Sequence, residues 1–315
     1  MTYGIGETPL IRADDIGERL GIENLYLKLE GHNPTGTHKD RLAIQHVDDA
    51  IVRNYDTITV GSCGNYAHSM SFVARKTDLD CKIFTPEKYT SNLVDKMKEN
   101  GAEVLRVEGG YEEAVEESRK MAEKNDWYDA NPGRKNTPIS LVAYADISEE
   151  IQEHLDEKPA TVSVSVGNGT TIAGVHLGYR LLWRKKRAEG IPRMIAASSL
   201  GNNAIIETIR QGSKDILELP PDSLKETEIN EPLLNWKSLD GQEAVNAIYD
   251  TDGTAIGLTD EEIVHYYALL KEEGIEALPC SCTAIGALDK YLEENNLEGK
   301  HVVVITSGKF EREPS

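Results

Sequence analysis

Short runs rich in β-branched residues alternate along this chain with stretches of helical periodicity, and this alternation constrains the fold more than any other feature. The segments between the runs are long enough for one helix each, which is the spacing of βαβ units. Because a βαβ crossover joins parallel strands, the pattern predicts an α/β fold with parallel sheets flanked by helices. The runs are residues 57–60, 81–84, 103–107, 161–166, 193–197 and 301–305.

One helix between the last two runs has clear start and stop signals. Thr259 and Glu262 have the spacing of a capping box, and Gly274 is typical of a helix end. The apolar stripe predicted for this helix comprises Ile263, Val264, Tyr267 and Leu270.

Charge and composition exclude several function classes. The formal net charge of -20 repels nucleic acid and anionic lipid, so neither is an expected partner. No apolar run is long enough to span a bilayer and no secretory segment is recognisable, so we expect a soluble, cytoplasmic protein. The four cysteines show neither a C-x-x-C pair nor zinc-like histidine spacing, which favours reduced thiols and no metal site.

A glycine-rich loop directly follows the run at 161–166. Glycines there let the backbone approach an anion, and the N–H groups and hydroxyls of a loop that opens a helix can donate to it. The spacing fits neither a dinucleotide fingerprint nor a P-loop, and a tight turn that binds nothing remains an alternative. The candidate phosphate cradle consists of Gly167, Asn168, Gly169, Thr170 and Thr171.

A single lysine, Lys39, ends the loop NPTGTHKDR at the start of a predicted helix. Most such lysines are solvated charges. A lysine placed in a pocket can instead form an imine with an aldehyde. A phosphate cradle together with a positioned amine is what pyridoxal phosphate requires.

The segment GSCGN, residues 61–65, follows the strand predicted at 57–60. Small residues with outward N–H groups at a helix start favour a carboxylate site, and the Asn65 amide can bond a ring oxygen. The alternative is a structural turn in which Asn65 caps the helix.

The motifs NPTGTHKDR, GSCGN, VGNGTT and VVVITSG occur in the order and approximate spacing of the fold type II pyridoxal-phosphate enzymes. Within that family the chain resembles threonine synthase most, through GETPLIRADDIGERLGIENLYLKLEGHNPTG, IPRMIAASS, LTDEEI and EEGIEALPCSCTAIGAL. The resemblance covers nearly the whole chain. It implies a two-domain α/β enzyme, with residues 45–147 as a smaller mobile domain and 1–44 plus 148–315 as the larger cofactor-binding domain. It also implies a homodimer.

Residue roles follow from the resemblance position by position. Lys39 would bond covalently to the cofactor and later move protons at the substrate α-carbon, and Asn65 would bond the ring hydroxyl oxygen. Residues 167–171 would hold the phosphate. Thr306, with Ser307 as second choice, would face the pyridine nitrogen. The expected contacts to an amino-acid substrate are Ser62, Cys63, Gly64 and Arg41, although Arg41 could instead pair with Asp40 or another acid.

The substrate region departs from the pattern of threonine synthase. His38, Tyr66 and His68 stand where that pattern differs, and either histidine could be purely structural. LPCSC at 278–282 replaces a block with a glutamate, and we expect Cys280 and Cys282 to be small buried packing residues. The reaction expected is a threonine synthase-like elimination and replacement on an amino acid with a phosphate or similar leaving group. The alternatives are a β-replacement enzyme of the cysteine or cysteate synthase type, and a paralogue that binds pyridoxal phosphate without turnover.

Overall fold

A computed structural model of the chain describes residues 3–89 and 91–308. The strands in chain order are β1 (Leu10–Arg12), β2 (Leu25–Leu29), β3 (Thr57–Gly61), β4 (Asp80–Pro86), β5 (Glu103–Val107), β6 (Tyr128–Asp129), β7 (Thr161–Ser165), β8 (Arg193–Ser199), β9 (Thr254–Leu258) and β10 (His301–Ile305). The helices are α1 (Asp14–Leu20), α2 (Lys39–Val52), α3 (Asn65–Ala74), α4 (Asn92–Glu99), α5 (Tyr111–Asn125), α6 (Thr137–Leu155), α7 (Thr170–Arg184), α8 (Ala204–Arg210), α9 (Gly241–Asp250), α10 (Asp260–Glu272) and α11 (Pro279–Glu294).

The strands form two sheets. The larger has six strands in the order β1-β2-β10-β7-β8-β9, and the smaller has four in the order β5-β4-β3-β6. Every described pairing is parallel except that of β1 with β2. The predicted α/β class is therefore confirmed, and each of the predicted runs falls on a strand.

Four strands, β1, β2, β6 and β9, have no counterpart among the predicted runs. β1 and β6 are only three and two residues long, too short for a periodicity signal. β2 has the sequence LYLKL, in which the charged Lys28 interrupts an otherwise apolar run, yet Lys28 is fully buried. Its Nζ bonds to Thr8 and to Glu150 at 2.5 Å, which compensates the buried charge.

Contacts divide the chain into two compact units. Among the described residues, the small unit holds residues 3–5 and the described part of 33–143, and the large unit holds residues 6–32 and 144–308. The small unit contains the four-stranded sheet and the large unit the six-stranded sheet. The domain limits expected at residues 44 and 147 stay a prediction.

The capping box of α10 is confirmed, but its predicted apolar stripe is partly wrong. Thr259 Oγ1 accepts the Glu262 N–H, and the Glu262 carboxylate accepts the Thr259 N–H. Val264 is 41% exposed, whereas Tyr266 is buried. The ring of Tyr266 packs over Gly286 of α11, where an added Cβ would lie 2.4 Å from it. Because Gly286 has no side chain, the Tyr266 ring can pack against α11 at this point. The buried face of α10 therefore includes Tyr266 in place of Val264.

Within residues 3–89 and 91–308, none of the helices combines the length and apolar character needed to cross a membrane. The same residues contain no group of three or more His, Cys, Asp or Glu side chains arranged to hold a metal ion. All four cysteines lie in this part of the chain, and none forms a disulfide.

Candidate active site

The glycine loop lies at the carboxyl edge of the large sheet. Gly167 follows β7, and Thr306 follows β10, its parallel neighbour, with Val304 opposite Val164. Asn203, which caps α8 after β8, donates its side-chain N–H groups to the carbonyls of Val166 and Gly167. Ligands of open α/β sheets bind at this edge. The large sheet therefore brings the phosphate-cradle residues and the candidate for the pyridine nitrogen to one place.

The backbone at Gly169 requires glycine. Its φ of +85° lies in the left-handed region, and a Cβ there would lie 2.6 Å from Ala244 Cβ and 2.8 Å from Ile205 Cδ1. Residue 169 is also the N-cap of α7. The loop can turn sharply into the helix only because this position has no side chain.

Side chains from the segment before α9 hold the loop. Asn168 Oδ1 accepts from Asn235 Nδ2 at 2.8 Å and from the Leu239 N–H at 3.1 Å. Thr170 Oγ1 donates to Asp240 Oδ2 at 2.7 Å, and Asp240 is buried. The Thr170 hydroxyl hydrogen therefore points at a carboxylate. The sequence suggested the hydroxyls of Thr170 and Thr171 as donors to an anion. With Thr170 donating to Asp240, the Thr171 hydroxyl is the remaining candidate of the two.

The backbone of the loop fits a bound anion. No N–H from Gly167 to Ile172 has a protein acceptor among residues 3–89 and 91–308. These donors include the first N–H groups of α7, a helix of 15 residues whose amino end carries partial positive charge. A phosphate group bound at this loop would supply acceptors for such donors.

Thr306 belongs to a buried hydroxyl pair at the end of β10. Its Oγ1 lies 2.9 Å from Ser281 Oγ, and Ser281 Oγ also accepts the Ser307 N–H at 3.1 Å. The side chains of Thr306, Ser281 and Ser307 are all buried. The choice of Thr306 over Ser307 as the group at the pyridine nitrogen stays a prediction.

Cys280 and Cys282 are both buried, as expected for packing residues. Burial raises the pKa of the Cys280 thiol to about 12 and that of the Cys282 thiol well above its usual value. Cys282 Sγ donates to the Leu278 carbonyl at 3.4 Å. Both thiols therefore stay protonated near neutral pH and serve as small packing groups.

Lys39 is the first residue of α2 in the small unit and is half-buried. The loop before it is fixed by Asp40, whose carboxylate accepts the Thr35 N–H at 2.8 Å and the Thr35 hydroxyl at 2.5 Å. Thr35 Oγ1 also lies 3.0 Å from Ser69 Oγ on α3. The lysine loop is thereby attached to the helix that begins at Asn65.

The segment GSCGN is held from the opposite side by Asn131. The Gly61 N–H donates to Asn131 Oδ1 at 2.7 Å. A Cβ at Gly61 would lie 2.5 Å from the backbone of Val115, so only glycine fits there. The Ser62 N–H donates to the Phe84 carbonyl at 3.0 Å. The loop at 62–64 thus leaves β3 in a fixed direction.

Asn65 does not cap α3, so the capping alternative is wrong. The N-cap is Gly64, which makes no side-chain cap bond, and Asn65 is the first helical residue. Its side-chain amide makes no hydrogen bond within the described chain and is only partly buried. The amide therefore keeps its bonding capacity for a ligand.

The residues that depart from the threonine synthase pattern have different surroundings. The Tyr66 hydroxyl donates to the Ala130 carbonyl at 2.7 Å, which ties α3 to the same segment that holds Gly61. His38 is buried, with Nδ1 3.3 Å from Thr37 Oγ1, and His68 is half-buried. Arg41 is also buried. A structural role is thus shown for Tyr66, while those of the other three stay open.

The structure assembles the predicted residues in two sets, each inside one unit. The small unit holds Lys39, Arg41 and residues 62–65, and the large unit holds residues 167–171 and Thr306. The sequence analysis missed the residues that support these sets. They are Asn131, Asn235, Asp240 and Ser281. Of these, only Asn131 had a local signal, because it follows a strand end and precedes a proline.

The family model described as "Pyridoxal-phosphate dependent enzyme" matches residues 1–308. This chain belongs to that family. As a pyridoxal-phosphate-dependent enzyme of fold type II it takes pyridoxal phosphate as its cofactor, and the glycine loop and buried hydroxyls described above fit that group.

Known proteins similar to this pyridoxal-phosphate enzyme include threonine synthases. That of Methanocaldococcus jannaschii is 31% identical, covering 98% of this chain and 76% of that protein. That of Methanosarcina acetivorans is 29% identical, covering 100% of this chain and 77% of that protein. The predicted resemblance is confirmed by these relatives.

Solved structures with the same fold carry other activities in their names. The processed form of threonine deaminase isoform 2 from Solanum lycopersicum has a TM-score of 0.82 at 17% identity, covering 98% of this chain and 86% of that one. Serine racemase from Dictyostelium discoideum has a TM-score of 0.81 at 20% identity, covering 98% and 94%. At these identities the likeness shows the fold.

Proposed function

We propose that this enzyme is a threonine synthase-like lyase that eliminates phosphate from the γ-carbon of O-phosphohomoserine and then adds water at the β-carbon to give threonine, and that Lys39 carries the cofactor. The observation that carries the proposal is the similarity to threonine synthases over nearly the entire chain. It is supported by the order of the motifs, because Lys39, Asn65 and the loop at 167–171 each lie at a helix start after a loop or strand.

Bound pyridoxal phosphate supplies an aldehyde that bonds an amine and a ring that accepts the electrons released at the α-carbon. Lys39 holds the cofactor before substrate arrives and then takes the proton from the substrate α-carbon. Residues 62–64 receive the substrate carboxylate, and Asn65 bonds the ring hydroxyl oxygen. The N–H groups from Gly167 to Ile172 hold the cofactor phosphate.

The leaving group is proposed to be phosphate, and Arg41 is the candidate that binds it. Arg41 is buried in the first turn of α2 and lies two residues from Lys39. A guanidinium can bind a phosphate through two parallel hydrogen bonds, which a lysine cannot do. The half-buried Leu278 at the start of α11 replaces the glutamate of the threonine synthase pattern, so this enzyme positions its nucleophile without a carboxylate there.

The lysine assignment is tested by trapping. Borohydride reduction of the holoenzyme followed by peptide mass spectrometry should place the reduced cofactor on Lys39. Lys39→Ala should lose the visible absorbance of the covalently bound cofactor. Lys98→Ala, an exposed lysine of the same unit, should retain it. Wild-type protein that stays colourless with added cofactor would refute the assignment.

The reaction is tested by phosphate release. Inorganic phosphate should appear from O-phosphohomoserine, with threonine as the second product and no need for an added nucleophile. Release from O-phosphoserine that requires sulfide or sulfite would instead support the β-replacement alternative. If neither compound, nor serine or threonine, changes the cofactor spectrum, the chain is a paralogue without turnover.

A further inference from the structure

The short turn Glu231–Leu233 places one carboxylate of the large unit beside the glycine loop. A Cβ on Gly167 would lie 3.2 Å from the carbonyl oxygen of Pro232, so the turn packs against the proposed phosphate cradle. Within residues 3–89 and 91–308, the side chain of Glu231 forms no hydrogen bond and no ion pair. Its carboxylate is therefore available to a ligand.

Hydrogen bonds fix this turn to the cradle. Asn203 donates to the Leu233 carbonyl at 3.0 Å and to the Gly167 carbonyl at 3.1 Å, so one side chain joins the two segments. The side chain of Asn230 is buried and forms hydrogen bonds through both its oxygen and its nitrogen. The residues on both sides of Glu231 are thus held, and its backbone has a fixed position relative to the cradle.

The turn also packs against the start of α11. Ile229 and Leu233, which flank Glu231, pack in one hydrophobic cluster. The same cluster includes Leu278 and Cys280. Burial raises the pKa of the Cys280 thiol, and the negative charge of Glu231 acts in the same direction. The Glu231 carboxylate therefore lies within electrostatic reach of the helix start at which Leu278 replaces the glutamate of the threonine synthase pattern.

Glu231 lines a concave surface. Its side chain is exposed to solvent, yet protein surrounds it closely enough that burial raises the pKa of its carboxyl group, and the charge of Glu226 raises that pKa further. A side chain that is both accessible and surrounded by protein lies in a cleft. A carboxylate in such a place can accept a proton from a bound molecule and return it to solvent.

We propose that Glu231 supplies the carboxylate that the block at 278–282 lacks, and that it binds and deprotonates the water that adds at the substrate β-carbon. The inference rests on the proposed function, because it requires water as the nucleophile. The water oxygen bonds to the β-carbon while one of its O–H bonds breaks, and that proton passes to Glu231. The electron pair of the double bond between the α- and β-carbons moves to the α-carbon, which takes a proton from Lys39. Glu231 then returns its proton to solvent.

Product analysis after a single turnover tests the role of Glu231. With Glu231→Gln holoenzyme and O-phosphohomoserine, phosphate should leave at the wild-type rate, because its departure precedes the addition of water. Threonine formation should slow by about 100-fold or more, the usual contribution of a general base. The unsaturated amine that escapes hydrolyses to 2-oxobutanoate and ammonia, so 2-oxobutanoate should become the main product. Threonine formed by Glu231→Gln at the wild-type rate would overturn the proposal.

Two further variants separate the carboxylate from the rest of the segment. Glu228→Gln removes an exposed carboxylate three residues earlier in the chain and should keep the wild-type products. Adding Leu278→Glu to Glu231→Gln puts a carboxylate back at the position of the threonine synthase pattern, and threonine should again be the main product. A folded double variant that still makes only 2-oxobutanoate would show that Glu231 does not take the place of that carboxylate.

A measurement on apoprotein is independent of turnover. Carbodiimide couples an amine to the protonated form of a carboxyl group, and peptide mass spectrometry reports the coupling at Glu231 as a function of pH. The coupling should persist to higher pH in native apoprotein than in the unfolded chain, because of the cleft. Identical profiles would place Glu231 in open solvent and overturn its role. Wild-type enzyme that releases no phosphate from O-phosphohomoserine would refute the proposed function, and the inference with it, whatever the coupling profile shows.

Discussion

Asn131 accepts the backbone N–H of Gly61 through its side-chain carbonyl at 2.7 Å, although the two residues are 70 positions apart. The Asn131 amide nitrogen donates to Ser118 and to Asp129, so every polar atom of this buried side chain is used. Gly61 directly precedes residues 62–64, which are proposed to receive the substrate carboxylate. The proposed substrate loop is therefore held by a residue that follows the neighbouring strand β6.

Replacing Asn131 should weaken both the small unit and substrate binding. Asn131→Ala leaves the buried Gly61 N–H without its acceptor, which should lower the free energy of unfolding by about 2 kcal/mol. The KM for the amino-acid substrate should rise, because the loop at 62–64 loses its fixed exit from β3. Urea unfolding and steady-state kinetics measure the two effects. Asn100→Ala, which loses side-chain bonds to Arg75 and Ser71 nearer the surface, should cost less than about 1 kcal/mol and leave KM unchanged. Equal effects of the two variants on KM would contradict the role of Asn131.

A side chain at Gly169 should weaken cofactor binding. Gly169→Ala imposes a left-handed residue and brings Cβ within 2.6 Å of Ala244 Cβ, so the loop must move. The dissociation constant of pyridoxal phosphate, from absorbance titration of apoprotein, should rise about tenfold or more, which corresponds to about 1.4 kcal/mol. Gly212→Ala is the matched control, since φ there is +68° but no atom lies within 4 Å of its Cβ. It should cost some stability and leave affinity for the cofactor unchanged. Wild-type affinity in Gly169→Ala would argue against the phosphate cradle.

His46 should make the small unit sensitive to acid. Burial lowers the pKa of His46 to about 4, from an ordinary value of 6.5. Tyr128 donates its hydroxyl hydrogen to Asp49, so His46 Nδ1 must carry the proton given to Tyr128, while Nε2 accepts from Ser140. The neutral ring is thus the form that the fold favours.

The protonation of His46 in the folded and in the unfolded chain determines whether stability rises or falls with pH. Above pH 6.5 the ring is neutral in both the folded and the unfolded chain, and the neutral ring costs nothing. Between pH 6.5 and 4 the unfolded chain takes up a proton that the folded chain does not, so stability falls as pH falls, by about 3 kcal/mol over the window. His46→Gln should flatten the slope of unfolding free energy against pH in this window, measured by urea unfolding. His154→Gln, which replaces an exposed histidine by the same residue, is the matched control.

Cys63 should be the cysteine that reacts in the native enzyme. Burial raises the pKa of the Cys81 and Cys280 thiols to about 12 and that of the Cys282 thiol well above its usual value, whereas Cys63 is only half-buried in the loop after β3. A disulfide reagent should modify one thiol in native protein and all four in denaturant. Cys63→Ser should abolish the native reaction. Two or more fast thiols in the native enzyme would mean that β4, which contains Cys81, or α11, which contains Cys280 and Cys282, opens in solution.

The sequence alone determined the elements and the chemistry that local pattern can specify. Alternating β-branched runs and amphipathic stretches predicted the parallel α/β fold, because side-chain periodicity depends only on neighbours along the chain. The glycine loop and the lysine at a helix start were likewise visible, since a left-handed glycine and a helix amino end are local features. The local pattern predicted the wrong buried face for α10. Tyr266 is buried and Val264 exposed, because the Tyr266 ring packs at Gly286 on another helix.

Only the tertiary structure decided which residues support the site. Asp240 lies 70 positions from Thr170, and Ser281 lies 25 positions from Thr306. Strand order and register bring these pairs together, and neither is encoded by the residues next to the bond. A buried polar group must find a partner wherever the sheet places one. The backbone donors were therefore predictable, whereas the side chains that orient them became known only once the strands were paired.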